Sequence, residues 1–204
     1  HGYIEVDNDD LKIIDHPLFQ RLAHIRQGLN QAAYPSYTQS RFEHSLGVMD
    51  FGSKVLSILR DSTHDGDAHR VFDMKKREVR FACLLHDIGH APFSHTGEMF
   101  FNKEDLINEL MRFRNDLDKA ELQNAATHEL MSALILLKHS EIKAVLRGLS
   151  LDINFMVDMI CGTSGQYEGK PEFGLIQILN SGIDVDRLDC LLRDNFMTGG
   201  GFVS

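Results

Sequence analysis

Apolar residues recur along this chain at helical spacing and almost nowhere in alternation. Residues 41–60 carry two apolar stripes, one of Phe42, Leu46, Met49, Leu56 and Leu59 and one of Val48, Phe51, Val55 and Ile58. Glu43, Asp50, Lys54 and Ser57 form the only clearly polar face, and a helix apolar on most sides is a buried one. Residues 75–87 follow, with Val79, Cys83 and His86 on one face and Phe81, Leu84, Leu85 and Ile88 on the other, until Gly89 and Pro92 end the helix. Residues 103–119 are amphipathic through Leu106, Leu110, Phe113 and Leu117, and residues 121–139 through Leu122, Ala126, Leu130, Ala133 and Leu137. Residues 141–147 and 154–160 predict shorter helices. Near the start, residues 7–10 offer caps for a turn holding Leu11, Ile13 and Ile14, and Pro17 opens a second turn with Leu18, Leu22 and Ile25 inward. Residues 183–194 predict a last helix, with Asp186, Cys190 and Arg193 on one face and Leu188, Leu191 and Leu192 for packing. Residues 28–40 read as a loop, residues 61–73 as a polar stretch rich in His, Asp and Gly whose first part, 61–67, is a mobile surface loop, with His64 and His69 solvated, and residues 162–174 as a Gly-rich loop without phosphate-loop spacing. No strand pattern and no internal repeat emerges, so the predicted architecture is all-α, a compact helical bundle.

Composition narrows the picture. The 204 residues are enough for one domain spanning 1–204 with a real core. The opening His1-Gly2-Tyr3 lacks a methionine, so a fragment of a longer chain is expected. A net charge of −9 argues against broad nucleic-acid binding, though not against a local basic pocket for phosphate. Three cysteines without a Cys-x-x-Cys pair make a disulfide framework an unlikely reading and point to a reducing, cytoplasmic setting. No apolar run reaches membrane-spanning length.

Chemistry concentrates in Leu84-Leu85-His86-Asp87-Ile88-Gly89-His90-Ala91-Pro92-Phe93-Ser94-His95. A lone His on an apolar face is usually a satisfied core residue. Three histidines and an aspartate crowded around a Gly and a Pro read instead as a site. Imidazole nitrogen with carboxylate oxygen suits Mn, Fe, Zn, Co or Ni, and the oxygen also suits Mg. His44 lies in line with the second stripe of its helix, so its ring is predicted to point inward and needs partners for both nitrogens: a backbone carbonyl, or a metal. Asp186 and Arg193 on one face fit either a surface laced with ion pairs or a metal–phosphate site.

These residues resemble the HD-domain metal phosphohydrolases. The resemblance rests on Arg41-Phe42-Glu43-His44-Ser45-Leu46-Gly47, His86-Asp87-Ile88-Gly89-His90, Phe93-Ser94-His95, His128-Glu129 and Ile183-Asp184-Val185-Asp186-Arg187. Within that superfamily the chain looks like the deoxynucleoside triphosphate triphosphohydrolase branch, which Gly2-Tyr3-Ile4-Glu5 and Phe19-Gln20-Arg21-Leu22 also fit. The resemblance implies that His44, His86, Asp87 and Asp186 hold a divalent metal at the centre of the bundle. It implies that His90, His95, Glu98 and His128 line the phosphate side, with His95 as general acid paired to Glu98. Arg41, Arg187 and Arg193 would meet the triphosphate and Gln27 the sugar. Cys190 stands where dNTP-hydrolysing relatives usually carry a Tyr against the deoxyribose, and Gln27-Gly28-Leu29 is one residue shorter than the common Gln-Leu-Gly pattern. Discrimination between deoxy and ribo substrates is therefore open.

The implied activity is metal-dependent hydrolysis of a nucleoside triphosphate at the α-phosphorus, giving nucleoside and inorganic triphosphate. Two alternatives stand beside it: another HD phosphohydrolase, acting as nucleotidase or phosphodiesterase, and a nucleotide-binding module with little turnover. The family often assembles, so a homo-oligomer is expected; no membrane and no nucleic-acid partner is.

Overall fold

The computed structural model describes residues 3–28 and 34–199; Gly2 of the N-terminal motif and Leu29 of the Gln27-Gly28-Leu29 stretch lie outside them. Among the described residues there are helices and no strand, only an isolated antiparallel bridge between Arg26 and Ser40. The all-α expectation is met. The α-helices are α1 (Asn8–Ile14), α2 (Pro17–Gln20), α3 (Arg41–Ser62), α4 (Gly66–Met74), α5 (Lys76–Leu85), α6 (Lys103–Phe113), α7 (Lys119–Leu122), α8 (Thr127–Lys138), α9 (Ser140–Gly148), α10 (Ile153–Cys161), α11 (Pro171–Asn180) and α12 (Val185–Thr198). Tighter 3-10 turns occupy Arg21–His24, Ser94–Phe100 and Gly165–Tyr167.

α5 lies at the centre. Val79, Phe81, Ala82, Cys83, Leu84 and Leu85 are all buried, which is why its second half, from Phe81 on, is apolar on every side. α3 packs along one flank of α5 and α10 along another; α8 closes over α10, and α12 lies on α3. Glycines set two of these approaches. A Cβ on Gly52 of α3 would overlap Cys83 Sγ of α5, and one on Gly89 would overlap the backbone of His128 and Ser132 in α8. Ser132 reinforces the second junction by donating to the His86 carbonyl (2.6 Å) while accepting from Gly89 N–H (2.8 Å). α8 is thus tied to the backbone of the turn that follows α5.

Several segments differ from the predicted ones. The predicted 61–67 loop gives way at Gly66: α4 starts there because the Asp65 carboxylate accepts from Asp67 and Ala68 N–H, and Ala68 and Phe72 are buried. The predicted helix over 103–119 ends at Phe113, and that over 121–139 divides into α7 and α8. Asp118 caps α7, and Glu129 accepts the Ala126 N–H at the start of α8 (2.6 Å), so each piece has its own start. The Gly-rich stretch gives way to α11 at Pro171, a natural first helical residue. On α12 the buried residues are Val185 and Asp189, whereas Leu191 is 65% exposed and supplies no core packing.

Candidate metal centre

α3 begins at Ser40, whose hydroxyl accepts from Glu43 N–H while the Glu43 carboxylate accepts from Ser40 N–H (2.6 Å). This box fixes the first turn, and with it Arg41 and His44. α5 ends by delivering His86 and Asp87, and α12 delivers Asp186 from its own first turn. The three elements converge. His44 Nε2 lies 2.9 Å from Asp186 Oδ1 and 3.6 Å from Asp87 Oδ2, and His86 Nε2 lies 3.5 Å from Asp87 Oδ1 and 4.0 Å from Asp186 Oδ1. Ligand atoms held about 2.1 Å from one ion sit roughly 3 to 4 Å from each other; His44, His86 and Asp186 have that spacing, and Asp87 adjoins them through both its oxygens.

The hydrogen bonds behind this cluster orient it. His44 Nδ1 is 2.7 Å from Asp189 Oδ2, and His86 Nδ1 is 2.8 Å from the Cys83 carbonyl. Both partners only accept, so each Nδ1 donates its proton to them and each Nε2 faces the cluster. Among the described residues, His86 Nε2 and Asp87 Oδ1 are buried without a hydrogen-bond partner. Buried polar atoms left this way are costly, and two imidazole nitrogens with two carboxylates are what a divalent transition metal takes. The residues fit such an ion.

Charge follows the same logic. Burial opposes ionisation of Asp87, but His86 and the Arg41 guanidinium (2.8 Å) outweigh it and hold the carboxyl well below its usual range. Burial likewise opposes the Asp186 carboxylate, and His44 and His86 override it. Burial would depress His44, yet Asp186 and Asp189 raise it well above 6.5. A metal must displace that proton, so loading is favoured as pH rises.

A second group lies alongside: one donor atom each from His90, His95, Glu98 and His128 falls within 4.8 Å of the others, close enough to hold a cation too. Glu98 Oε1 accepts from His95 Nδ1 (2.8 Å) and His128 Nδ1 (2.9 Å), and the His90 and His128 rings stack at 4.0 Å. His90 Nε2 and His128 Nε2 face Asp87 Oδ1 at 3.2 and 3.8 Å, so this carboxylate joins the two groups. Burial pushes His90 down to about 4, against the pull of Asp87. His128 is raised, because Glu98 and Asp87 outweigh its burial.

The cleft over these groups, about 290 Å³, is lined by Gln27, Gly28, Tyr37, Arg41, His95, His128, Asp186, Cys190 and Asp194. Gln27 Nε2 donates to Cys190 Sγ (3.1 Å). Arg41 is buried, bonded to Asp87 and to Ser94 Oγ (2.7 Å), with Nη2 also 3.1 Å from His95 Nε2. Left-handed backbone at Phe93 and Ser94 (φ +66° and +55°) turns the chain so that this hydroxyl meets the guanidinium. Two expected residues are not brought to the cleft. Arg193 Nε donates to Asp189 and its Nη2 to the Glu43 carbonyl; Arg187 Nη1 donates to the Gly182 carbonyl and is exposed. Sequence reasoning missed Asp189, Ser94 and the Tyr37–Asp194 pair, whose Tyr37 hydroxyl donates to Asp194 Oδ1 (2.7 Å). For Asp189 a signal existed: it follows Asp186 by three residues, one helical turn.

Fold and site together define a helical domain with a central His/Asp cluster that could hold a metal ion. The chain belongs to the HD-domain family, whose model matches residues 41–194. HD domains bind divalent metals and form a superfamily of metal-dependent phosphohydrolases. An uncharacterised Mycoplasma pneumoniae protein, the MG461 homolog, is 32% identical over 92% of this chain and 39% of its own length. The human deoxynucleoside triphosphate triphosphohydrolase SAMHD1 is 30% identical over 95% of this chain and 32% of its own. The crystal structure of a hypothetical protein from Aquifex aeolicus superposes with a TM-score of 0.69 at 27% identity, covering all of this chain and 46% of that one. The chain thus spans about a third of the length of the curated relatives named here. Among the described residues no helix is long and apolar enough to cross a membrane.

Proposed function

We propose that this chain carries the catalytic site of a metal-dependent nucleoside triphosphate triphosphohydrolase, cleaving at the α-phosphorus to give nucleoside and inorganic triphosphate. The observation that carries the reading is the grouping of His44, His86 and Asp186, with Asp87 beside them, under a cleft lined by Arg41, His95 and His128. The name of the human relative supports it. His44, His86, Asp87 and Asp186 would hold the metal, Mn, Fe, Zn, Co or Ni, possibly with Mg. When bound, such an ion polarises a phosphoryl oxygen and lowers the pKa of a coordinated water.

The protein's own groups supply the rest. Water adds to the α-phosphorus and the bond to the 5′ oxygen breaks, so that oxygen needs a proton. His95 is placed to give it, with Glu98 fixing Nδ1 and leaving Nε2 toward the cleft. In the present arrangement Nε2 accepts from Arg41, which has only donors to offer. A phosphate that draws Arg41 to its own oxygens frees Nε2 to hold the proton. Arg41 then neutralises phosphate charge with bidentate geometry, and His128, raised by Glu98, adds a second positive charge. Gln27, Tyr37, Cys190 and Asp194 border the space for the sugar. With a Cys rather than a bulkier residue at 190, both ribo and deoxy substrates enter the test.

The test is incubation of the Mn-loaded protein with a panel of dNTPs and NTPs, resolving products by phosphate-chain length. Intact inorganic triphosphate and free nucleoside are expected; stepwise release of orthophosphate would refute the assignment. One observation favours a second reading, an HD phosphohydrolase acting on another phosphate ester: Asp87 links two adjacent donor groups, a layout that also suits a pair of cations. Turnover of a phosphodiester or nucleoside monophosphate in the same panel would select it.

A further inference from the structure

Asp189 is fully buried on α12, one turn beyond Asp186. A buried carboxylate is costly unless its oxygens are bonded to charged or polar donors. Here Oδ2 takes two such bonds, from His44 Nδ1 at 2.7 Å and from Arg193 Nε at 2.6 Å. Arg193 continues to the Glu43 carbonyl (2.7 Å), so the guanidinium braces α12 against the first turn of α3. The backbone of α3 is kept bare at the crossing: a Cβ on Gly47 would overlap both the Asp189 carboxylate and the Arg193 guanidinium. His44 and Gly47 are one turn apart on α3, as Asp186 and Asp189 are on α12. The two helices therefore interlock, each presenting one ligand and one supporting position.

His86 reaches the same tautomer through a neutral carbonyl, that of Cys83. His44 alone of the two has an anionic partner. A carboxylate accepting the Nδ1 proton makes the opposite nitrogen more electron-rich and fixes the plane of the ring. A purely structural role for Asp189 would need only Arg193; the bond to His44 adds a contact aimed at the cluster.

We infer that Asp189 is a positioning residue for the metal centre: it locks His44 with Nε2 facing the cation and, through Asp186 on the same helix, makes the docking of α12 on α3 set two of the four ligands together. The inference rests on the reading of His44 and Asp186 as ligands. Its test is zinc binding by the full chain, measured by competition with a chromophoric chelator, alongside the imidazole 15N–1H spectrum of the zinc-loaded protein. Asp189→Asn keeps the volume and removes the charge. It is expected to raise the zinc dissociation constant by roughly 10–100-fold and to move the downfield His44 Nδ1–H resonance upfield. Arg193→Met breaks the brace but leaves the carboxylate on His44, and is expected to lower unfolding stability while changing zinc affinity far less. Wild-type affinity and an unmoved His44 resonance in Asp189→Asn would overturn the inference. So would equal affinity losses in the two variants without movement of that resonance. His44→Ala separates the two layers: if it keeps zinc at wild-type affinity the ligand reading fails and the inference with it, whereas loss of zinc there beside an unaffected Asp189→Asn sinks the inference alone.

Discussion

At the scale of single residues, the cluster is informative because its members are not interchangeable. His44, His86, Asp87 and Asp186 face one another across 2.9 to 4.0 Å, whereas His95 is 65% exposed at the side chain and turned to the cleft. His44→Ala and Asp87→Ala should each strip the metal and remove nearly all turnover, read by elemental analysis and by product release. His95→Ala should keep the metal and lose roughly 10²–10⁴-fold in rate, the span of a general acid; release of the metal would show it to be a ligand instead. The Glu98–His128 pair gives a pH signature in chelator-stripped protein. Burial opposes both charged forms, but His128 and His95 draw Glu98 down to about 2 from its usual 4.5, and Glu98 raises His128 above 6.5. A depressed carboxyl contributes stability above its unfolded value and loses it as pH falls through the folded one. A raised imidazole contributes below its unfolded value and loses it as pH rises through the folded one. The pair is therefore strongest between about pH 4.5 and 6.5, and Glu98→Gln should lower the urea midpoint most in that window and less at pH 9. A uniform effect across pH would contradict the pairing. That these residues would come together was legible in the sequence because His-Asp and its flanking histidines sit in one stretch and His44 falls on an apolar stripe. Asp189 was not, because one Asp among Asp184, Asp186, Asp189 and Asp194 looks like any other until the facing helix is known. Arg193 was read toward phosphate for the same reason: side-chain direction along a helix does not reveal which neighbour takes the guanidinium.

At the scale of elements, helix existence followed from periodicity wherever the apolar stripe was long, as in α3 and α5. α4 shows the limit of that signal. Its two buried residues, Ala68 and Phe72, lie in a run of His, Asp and Gly, and the Asp65 cap rather than hydrophobicity fixes its start. The split of the predicted 121–139 helix has the same origin, since the cap on α8 is made by the Glu129 side chain, three residues in from Ala126. Polar anchors of this kind also hold α10. Asp158 is fully buried and accepts from Arg114 (3.1 Å), Thr163 (2.8 Å), Gln166 (3.0 Å) and Tyr167 (2.7 Å), joining the end of α6 to the turn before α11. Asp158→Ala leaves Arg114 buried with one carboxylate fewer, and should cost about 3–5 kcal/mol in urea unfolding. A loss below about 1 kcal/mol would mean that the surrounding loop supplies replacement acceptors.

At the scale of the whole molecule, a chain of net charge −9 gathers Arg41 and five histidines around a small set of carboxylates. Local chemistry, not overall charge, governs what an anionic substrate meets. Three helices far apart in sequence must be docked before any ligand set exists, so metal affinity reports the fold itself. On the proposed reading one cation is shared by α3, α5 and α12. Anomalous diffraction from crystals of the metal-loaded protein locates it. A peak is expected about 2 Å from His44 Nε2 and His86 Nε2 and from a carboxylate oxygen of each of Asp87 and Asp186. A peak confined to His90, His95, Glu98 and His128, or none within reach of His44, would contradict that reading.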